Sequence, residues 1–306
     1  MFACFLKCAL RAVMCIVGGR LLWSVAAELS GSFMRRLHNR SLLKALSGKW
    51  AIITGCTDGI GLGIARELAN NGINLILISR SQDKLNAVME ELSKKVKTES
   101  VKLDFEQEID FAKSLSQVKA HTPHILINNV GVNESGPTSF VEHTEESIRR
   151  ILQVNVTNTL KLTQEYISWD KAPSEKKYIL STGSMLGLIP SPFQQVYAGT
   201  KAFLQLWSES ISTELPGYHT EVFMTGLVCS KLSGAKKPSI FVPAADTYGR
   251  CCVQSFGTCT VTYPYFPHAL LNILVNMLPR QAVCFAMDRF GRHIRKIKQK
   301  AAKKKV

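Results

Sequence analysis

The run INLILIS (73–79) is apolar at nearly every position. A strand with one wet face alternates polar and apolar residues. A strand apolar on both faces must be covered on both, as in a parallel sheet flanked by helices. Four more segments read the same way: WAIITG (50–55), HILINNVG (124–131), KYILSTGS (177–184) and TEVFMTGLV (220–228). SVKLDF (100–105) and TCTVTY (258–263) add a third strand in chain order and a seventh. Between them lie the amphipathic stretches 60–72, 82–96, 109–120, 144–169 and 195–215. Strict alternation of β and α predicts an α/β fold, a Rossmann-type doubly wound parallel sheet of six or seven strands with helices on both faces. The unit spans 47–263 as one domain.

The first strand runs into TGCTDGIG, which sets Gly55, Gly59 and Gly61 between a strand and a helix. Glycines there let backbone approach a pyrophosphate, and the helix N-terminus offers unpaired N–H groups and partial positive charge. The second strand ends in LISRS. An acid at that point would hold a ribose 2′-hydroxyl. Ser79 and Arg80 instead suit a 2′-phosphate, which points to NADPH. Asp104, at the end of the third strand, is placed to meet an adenine amino group.

In QQVYAGTKAF, Tyr197 precedes Lys201 by four residues, so a helix stacks the two on one face. By itself that spacing is common. With TGCTDGIG, NNVG (128–131), Asn155 and Ser184 in order, the chain resembles the short-chain dehydrogenase/reductase family over about 48–232. The resemblance implies a catalytic tetrad of Asn155, Ser184, Tyr197 and Lys201, with Ser184 and Tyr197 also meeting substrate. It implies cofactor contacts from Gly55, Thr57, Gly59, Ile60, Gly61, Ser79, Arg80, Asp104, Asn128, Asn129, Gly131, Tyr197, Lys201, Val228 and Ser230. Tyr197 would give its proton to a carbonyl oxygen, with a lysine ammonium and the cofactor's charge lowering a phenol pKa of about 10. Ser184 would orient that oxygen, Lys201 would hold the nicotinamide ribose, and Asn155 would support a water chain behind Lys201. No metal is needed. Two positions depart from the family: Thr225 stands where proline is usual, and Ser230 where threonine often contacts the carboxamide.

Several of these stretches look closer to one branch, that of membrane-bound very-long-chain 3-oxoacyl-CoA reductases, also called type 12 17β-hydroxysteroid dehydrogenases. That implies NADPH-dependent reduction of 3-oxoacyl-CoA in fatty-acid elongation. The alternatives are a steroid or retinoid oxidoreductase and a catalytically silent nucleotide-binding scaffold, the latter disfavoured by the intact tetrad. The implied partners are an acyl-CoA or other lipid-like carbonyl substrate, a membrane, elongation enzymes and a second copy of the chain. In the loop 231–245, Lys231, Lys236 and Lys237 could meet CoA phosphates, and Leu232, Ile240, Phe241 and Val242 could line an acyl path.

Net charge is +15 and gathers at the ends. Basic ends on a near-neutral body suggest an anionic surface. No aromatic residue interleaves the basic tail, which argues against nucleic acid. Residues 1–28 read as a hydrophobic membrane anchor, with a mitochondrial transit peptide as the competing reading. Residues 29–46 read as a basic juxtamembrane linker. The stretch 264–288 reads as an apolar helix lying on the membrane or folding back on the domain, with His268, Asn272 and Asn276 as a polar stripe. The tail 289–306 carries Lys303 and Lys304 in dilysine position, which places the chain at the endoplasmic reticulum membrane with its active site cytosolic. Nine irregularly spaced cysteines fit reduced thiols there.

Overall fold

The computed structural model describes the backbone of residues 2–303 and the side chains of 14–298 and 300. In chain order the first half holds α1 (Phe2–Leu46), β1 (Trp50–Thr54), α2 (Gly59–Asn70), β2 (Asn74–Ser79), α3 (Gln82–Leu92), β3 (Thr98–Lys102), α4 (Phe111–Ser114) and β4 (Ile125–Asn128). The second half holds α5 (Glu145–Leu152), α6 (Asn158–Ser168), β5 (Lys177–Thr182), α7 (Gln195–Glu214), β6 (Tyr218–Phe223), α8 (Ala245–Val253), β7 (Val261–Thr262), α9 (Phe266–Asn276) and α10 (Arg280–Lys303).

The strands form one seven-stranded sheet in the order β3-β2-β1-β4-β5-β6-β7, every neighbouring pair parallel. Alternate residues feed two cores. Ala51, Ile53, Leu75, Leu77, Ile125 and Ile127 pack under α2, α3 and α8 on one face. Ile52, Ile76, Ile78, Leu126 and Ile179 pack on the other, with Leu162 and Tyr166 of α6. Burial on both faces is the physical content of the apolar runs. The order reverses between β1 and β4, and the crevice at their carboxyl ends is the switch point where such sheets bind ligands.

Several elements differ from the sequence reading. The third strand ends at Lys102, so Asp104 lies past it, in a turn where its carboxylate accepts the Glu106 amide at 3.0 Å. The helix expected over 109–120 breaks into α4 and a short 3-10 turn at 118–121. There the Ser116 hydroxyl donates to the Lys113 carbonyl, a local bond that competes with helix. The helix expected over 144–169 is interrupted by a π-turn at 153–157. The seventh strand shrinks to two residues.

The basic segment 29–46 continues α1, and its last turns join the domain. Leu43 and Leu46 enter the core under β1, and Asn39 Nδ2 donates to the Phe256 carbonyl at 2.9 Å. The segment expected to cross a membrane includes residues 1–13, whose side chains lie outside the described ones, as do those of Lys303 and Lys304. Among the described residues no helix is long and apolar enough to cross a membrane. The stretch 264–288 divides at Pro279 between α9 and α10. α9 buries His268 and Ala269 and exposes Leu271 and Leu274.

Helices α2 and α8 meet through glycine. A Cβ on Gly249 would lie 2.4 Å from the Gly63 carbonyl carbon, and one on Gly63 would lie 2.6 Å from the Ala245 oxygen. Gly249→Ala is expected to cost about 1–3 kcal/mol through overpacking. Gly199→Ala, where a helical Cβ meets nothing within 4 Å, is expected to gain about 0.5–1 kcal/mol. Thermal unfolding of both variants checks the contrast.

Candidate active site

At the switch point three strand ends are laced together. Thr54 Oγ1, at the end of β1, accepts the amides of Asn129 and Val130 at 2.9 and 3.0 Å and donates to the Ile127 carbonyl at 3.2 Å. Asn129 Nδ2 returns to the carbonyls of Thr54 and Gly55 at 3.0 and 3.2 Å. Its Oδ1 accepts from Thr182 Oγ1, on β5, at 3.2 Å. Asn128 turns away from the crevice and donates to Thr163 Oγ1 on α6 at 2.9 Å. Thr54 is a functional residue that motif reading missed. Its signal is a hydroxyl at the last position of an otherwise apolar strand.

The glycine loop has the space a dinucleotide needs. A Cβ at Gly61 would fall 2.3 Å from the Gly55 carbonyl oxygen, so only glycine allows the loop to fold this closely. Gly55 and Gly59 hold φ of +64° and +54°, the left-handed region. The Asp58 carboxylate caps α2 by accepting the Gly59 amide at 2.8 Å. Beyond that cap the Ile60 and Gly61 amides take no backbone acceptor among the described residues, leaving donors for a phosphate. Thr57 and Ser79 share a hydrogen bond of 3.0 Å beside the loop. A pyrophosphate fits this cradle.

Arg80 lies beyond β2, exposed, and its guanidinium pairs with Glu106 at 3.0 Å. Glu106 also lies 3.9 Å from Arg150. Lys231 departs from the expected substrate side. Its ammonium pairs with Asp58 at 2.5 Å, over the glycine loop. Burial alone would raise the Asp58 carboxyl, but the Lys231 ammonium bonded to it holds it below the usual carboxylate range. Ser230 reaches the same place, its Cβ 3.3 Å from where a Cβ on Gly59 would stand. Val228 is buried in the core beneath.

Lys201 and Asn155 of the tetrad flank Gly131. A Cβ there would lie 3.5 Å from Lys201 Nζ and 3.6 Å from Asn155 Oδ1. Asn155 sits on the π-turn, fully buried. Its Oδ1 accepts the Val132 amide at 2.8 Å, and its Nδ2 donates to the Val132 carbonyl at 2.9 Å and to Thr200 Oγ1 at 3.1 Å. Thr200 in turn donates to the Tyr197 carbonyl at 2.7 Å. Asn155 thus ties the loop after β4 to α7, a bracing role that the spacing of motifs did not disclose. The extra residue of a π-turn is what aims it there.

Lys201 Nζ donates to the Thr182 carbonyl at 2.7 Å and lies 5.7 Å from the Tyr197 ring centroid. Ser184 caps the short turn at 185–187. Burial pushes the Tyr197 phenol up to about 12, against the pull of its hydrogen bond with Ser184. Burial also brings the Lys201 ammonium down to about 8. The expected lowering of the phenol is therefore not met by the protein's own groups, because desolvation outweighs the hydrogen bond. A neutral phenol beside a cationic lysine is the state these values favour near neutral pH.

The departure at Thr225 has a structural reason. Its hydroxyl accepts from the phenol of Tyr248, on α8, at 2.9 Å, and Tyr248 is fully buried. A proline would leave that phenol without its acceptor.

The family model described as short chain dehydrogenase matches residues 49–237. A very-long-chain 3-oxoacyl-CoA reductase of Scheffersomyces stipitis is 35% identical over 81% of this chain and 78% of its own. A protein of the same description from Mus musculus is 31% identical over 86% of this chain and 88% of its own. Among solved structures, a short-chain dehydrogenase from Sphingobium yanoikuyae in complex with NADPH superposes with a TM-score of 0.62 at 24% identity, covering 76% of this chain and 94% of that one.

Two outcomes follow from the geometry. Thr54→Val removes the acceptor of two loop amides and is expected to cost about 1–3 kcal/mol, whereas Thr54→Ser keeps the acceptor and most of that stability. Denaturant unfolding measures both. Arg80→Asp is expected to erode or reverse a preference for NADPH over NADH, read as the ratio of kcat/KM for the two cofactors.

Proposed function

The chain belongs to the short-chain dehydrogenase family, and on that premise we propose that it reduces long or very-long-chain 3-oxoacyl-CoA to 3-hydroxyacyl-CoA with NADPH. The observation that carries the chemistry is the buried Tyr197–Lys201 pair beside Ser184, in a fold whose glycine cradle fits a dinucleotide. The names of relatives at 31–35% identity over most of the chain support the substrate class.

Gly55, Gly59, Gly61 and Lys201 would hold NADPH, whose nicotinamide would provide the hydride for the substrate's 3-oxo carbon. Tyr197 holds the proton that the developing alkoxide takes, and a phenol kept neutral by burial is poised to donate it. Ser184 orients the carbonyl oxygen. Lys201 keeps a positive charge next to the phenol, where it favours loss of that proton as charge develops on the substrate. Thr182 and Asn155 hold the ammonium and its helix in place. Arg80 and Ser79 stand where a 2′-phosphate would sit, with Arg80 shared between that group and Glu106. Lys236 and Lys237 are exposed on the loop after β6 and suit CoA phosphates, and Phe241 and Ile240 expose apolar surface beside them. Lys231 instead pairs with Asp58 over the glycine loop.

We place the enzyme on the endoplasmic reticulum membrane with the site facing the cytosol. Exposed Met14, Ile16, Val17, Leu22, Trp23 and Phe33 along α1 support contact with lipid, and exposed Leu271, Leu274 and Leu278 extend apolar surface after β7. A substrate that partitions into a bilayer favours an enzyme held at its surface. Retention in the membrane pellet after alkaline carbonate is the expected result, and release overturns the placement.

Purified protein in detergent, given NADPH and a panel of 3-oxoacyl-CoAs and ketosteroids, is expected to consume NADPH with the acyl-CoAs. Efficient reduction of steroids alone would transfer the reading to a steroid oxidoreductase. Tyr197→Phe is expected to lower kcat at least about 100-fold, the scale of general acid catalysis, while NADPH still binds. Replacing Lys236 and Lys237 with alanine is expected to raise KM for acyl-CoA much more than for an uncharged ketone.

A further inference from the structure

His268 lies near the start of α9, fully buried, and both of its ring nitrogens are spent on one loop. Nδ1 accepts the Gly226 amide at 3.1 Å. A backbone amide only donates, so Nδ1 carries no proton and Nε2 must. Nε2 then donates to the Phe241 carbonyl at 3.2 Å. Gly226 and Phe241 stand near opposite ends of the segment that follows β6. Between them lie Val228 and Ser230 on the cofactor side, and Ile240 leads to Phe241 on the substrate side. Gly226 must be glycine for this contact, since a Cβ there would fall 2.7 Å from the imidazole.

The loop has few other ties. Its base is closed by the Cys229 amide donating to the Pro243 carbonyl at 3.0 Å. Tyr265 OH adds a bond to the Ile240 carbonyl at 2.9 Å. At its other side Lys231 reaches Asp58 through an exposed ion pair, which is worth little by itself. Among the described residues, His268 is the one side chain that grips the start and the end of the segment together.

We propose that His268 is a positioning residue: its neutral Nε2–H tautomer clamps the loop 226–241, setting the nicotinamide-side backbone and the Phe241 wall of the substrate path at one separation. This rests on the reductase reading only for what the loop touches. Protonation would break the clamp, because a second N–H at Nδ1 would face the Gly226 N–H. Tyr248 of α8 and Tyr265 are the titratable groups whose rings pack against the imidazole, at 5.5 and 5.1 Å, and the loop presents only backbone to it. Burial lowers the His268 pKa below its ordinary 6.5, so the neutral clamp persists at 6.5 and is lost as pH falls through the depressed value.

The test uses the full chain in detergent and compares wild type with His268→Leu, His268→Gln and Gly226→Ala. NADPH dissociation constants and the KM and kcat for a long-chain 3-oxoacyl-CoA are measured from acid to neutral pH. His268→Leu is expected to weaken NADPH binding and raise KM, each about tenfold, the scale of two lost hydrogen bonds, with a smaller change in kcat. Gln carries an acceptor and a donor and is expected to restore much of both. The wild type should lose affinity on acidification, and the Gln variant should lack that acid limb. Gly226→Ala, which crowds the imidazole from the loop side, should reproduce the Leu phenotype even where His268→Leu fails to fold. The clamp is overturned if NADPH affinity and KM stay within twofold in the Leu variant, or in Gly226→Ala where Leu does not fold, or if the acid limb survives unchanged in Gln. Should the wild type ignore 3-oxoacyl-CoAs while NADPH affinity still follows His268, the substrate reading fails and the clamp stands.

Discussion

One hydroxyl holds the site together. Thr54 Oγ1 accepts two amides of the loop after β4 and donates a hydrogen bond to the Ile127 carbonyl of β4 itself. Those amides emerge where the sheet order reverses, and neighbouring strands there diverge with no partners to offer each other. Unmet, these two half-buried N–H groups would together cost roughly 1–3 kcal/mol. Thr54 and Asn129 meet them with two short side chains, so the loop lies flat enough for Gly131 to pass between Lys201 and Asn155. The same lacing brings the Gly55 carbonyl against Gly61, which fixes the cradle. Cofactor side and proton-donor side are therefore positioned by one network.

Burial then sets the chemistry. The phenol and the ammonium that sit under this loop are both nearly removed from water, and desolvation moves each toward its neutral form. For Tyr197 that keeps the phenol protonated, as the proposed reduction requires. For Lys201 it stops near 8, which leaves the charge largely in place at neutral pH. The Thr182 carbonyl, accepting from Nζ, is the compensation that lets a cation stay where water is scarce. A surface pair with the same spacing would have an easily hydrated lysine and a weakly directed phenol.

What the sequence made legible follows from which interactions are local. Apolar runs such as 73–79 announce a strand covered on both faces because every residue of the strand carries the signal. Tyr197 and Lys201 are neighbours on one helix, and Gly55, Gly59 and Gly61 fall in one short turn, so those groups were readable by spacing. Thr54, the bracing bonds of Asn155, the Lys231–Asp58 pair and the His268 clamp were not. Each joins residues far apart in the chain, and neither partner alone is unusual. His268 could be placed on a polar stripe, yet which way the stripe faces depends on how α9 packs, and it packs against α1. The π-turn was hidden for a related reason, since the helical periodicity runs through it on either side.

The basic charge at the chain's ends does more than colour its surface. The described part of α10 gives some of it a structural use. Arg292 and Arg295 lie over the Phe193 ring at 5.5 and 5.8 Å, and Arg295 pairs with Glu142 while Lys298 donates to the Ser135 carbonyl. Phe193 holds a left-handed φ of +64°, which costs a bulky residue of order 1–3 kcal/mol, and its carbonyl accepts the Thr138 amide at 3.0 Å. Gln194 and Gln195 follow it directly into α7, two residues before Tyr197. The cations stacked on that ring thus help hold the turn from which the catalytic helix starts.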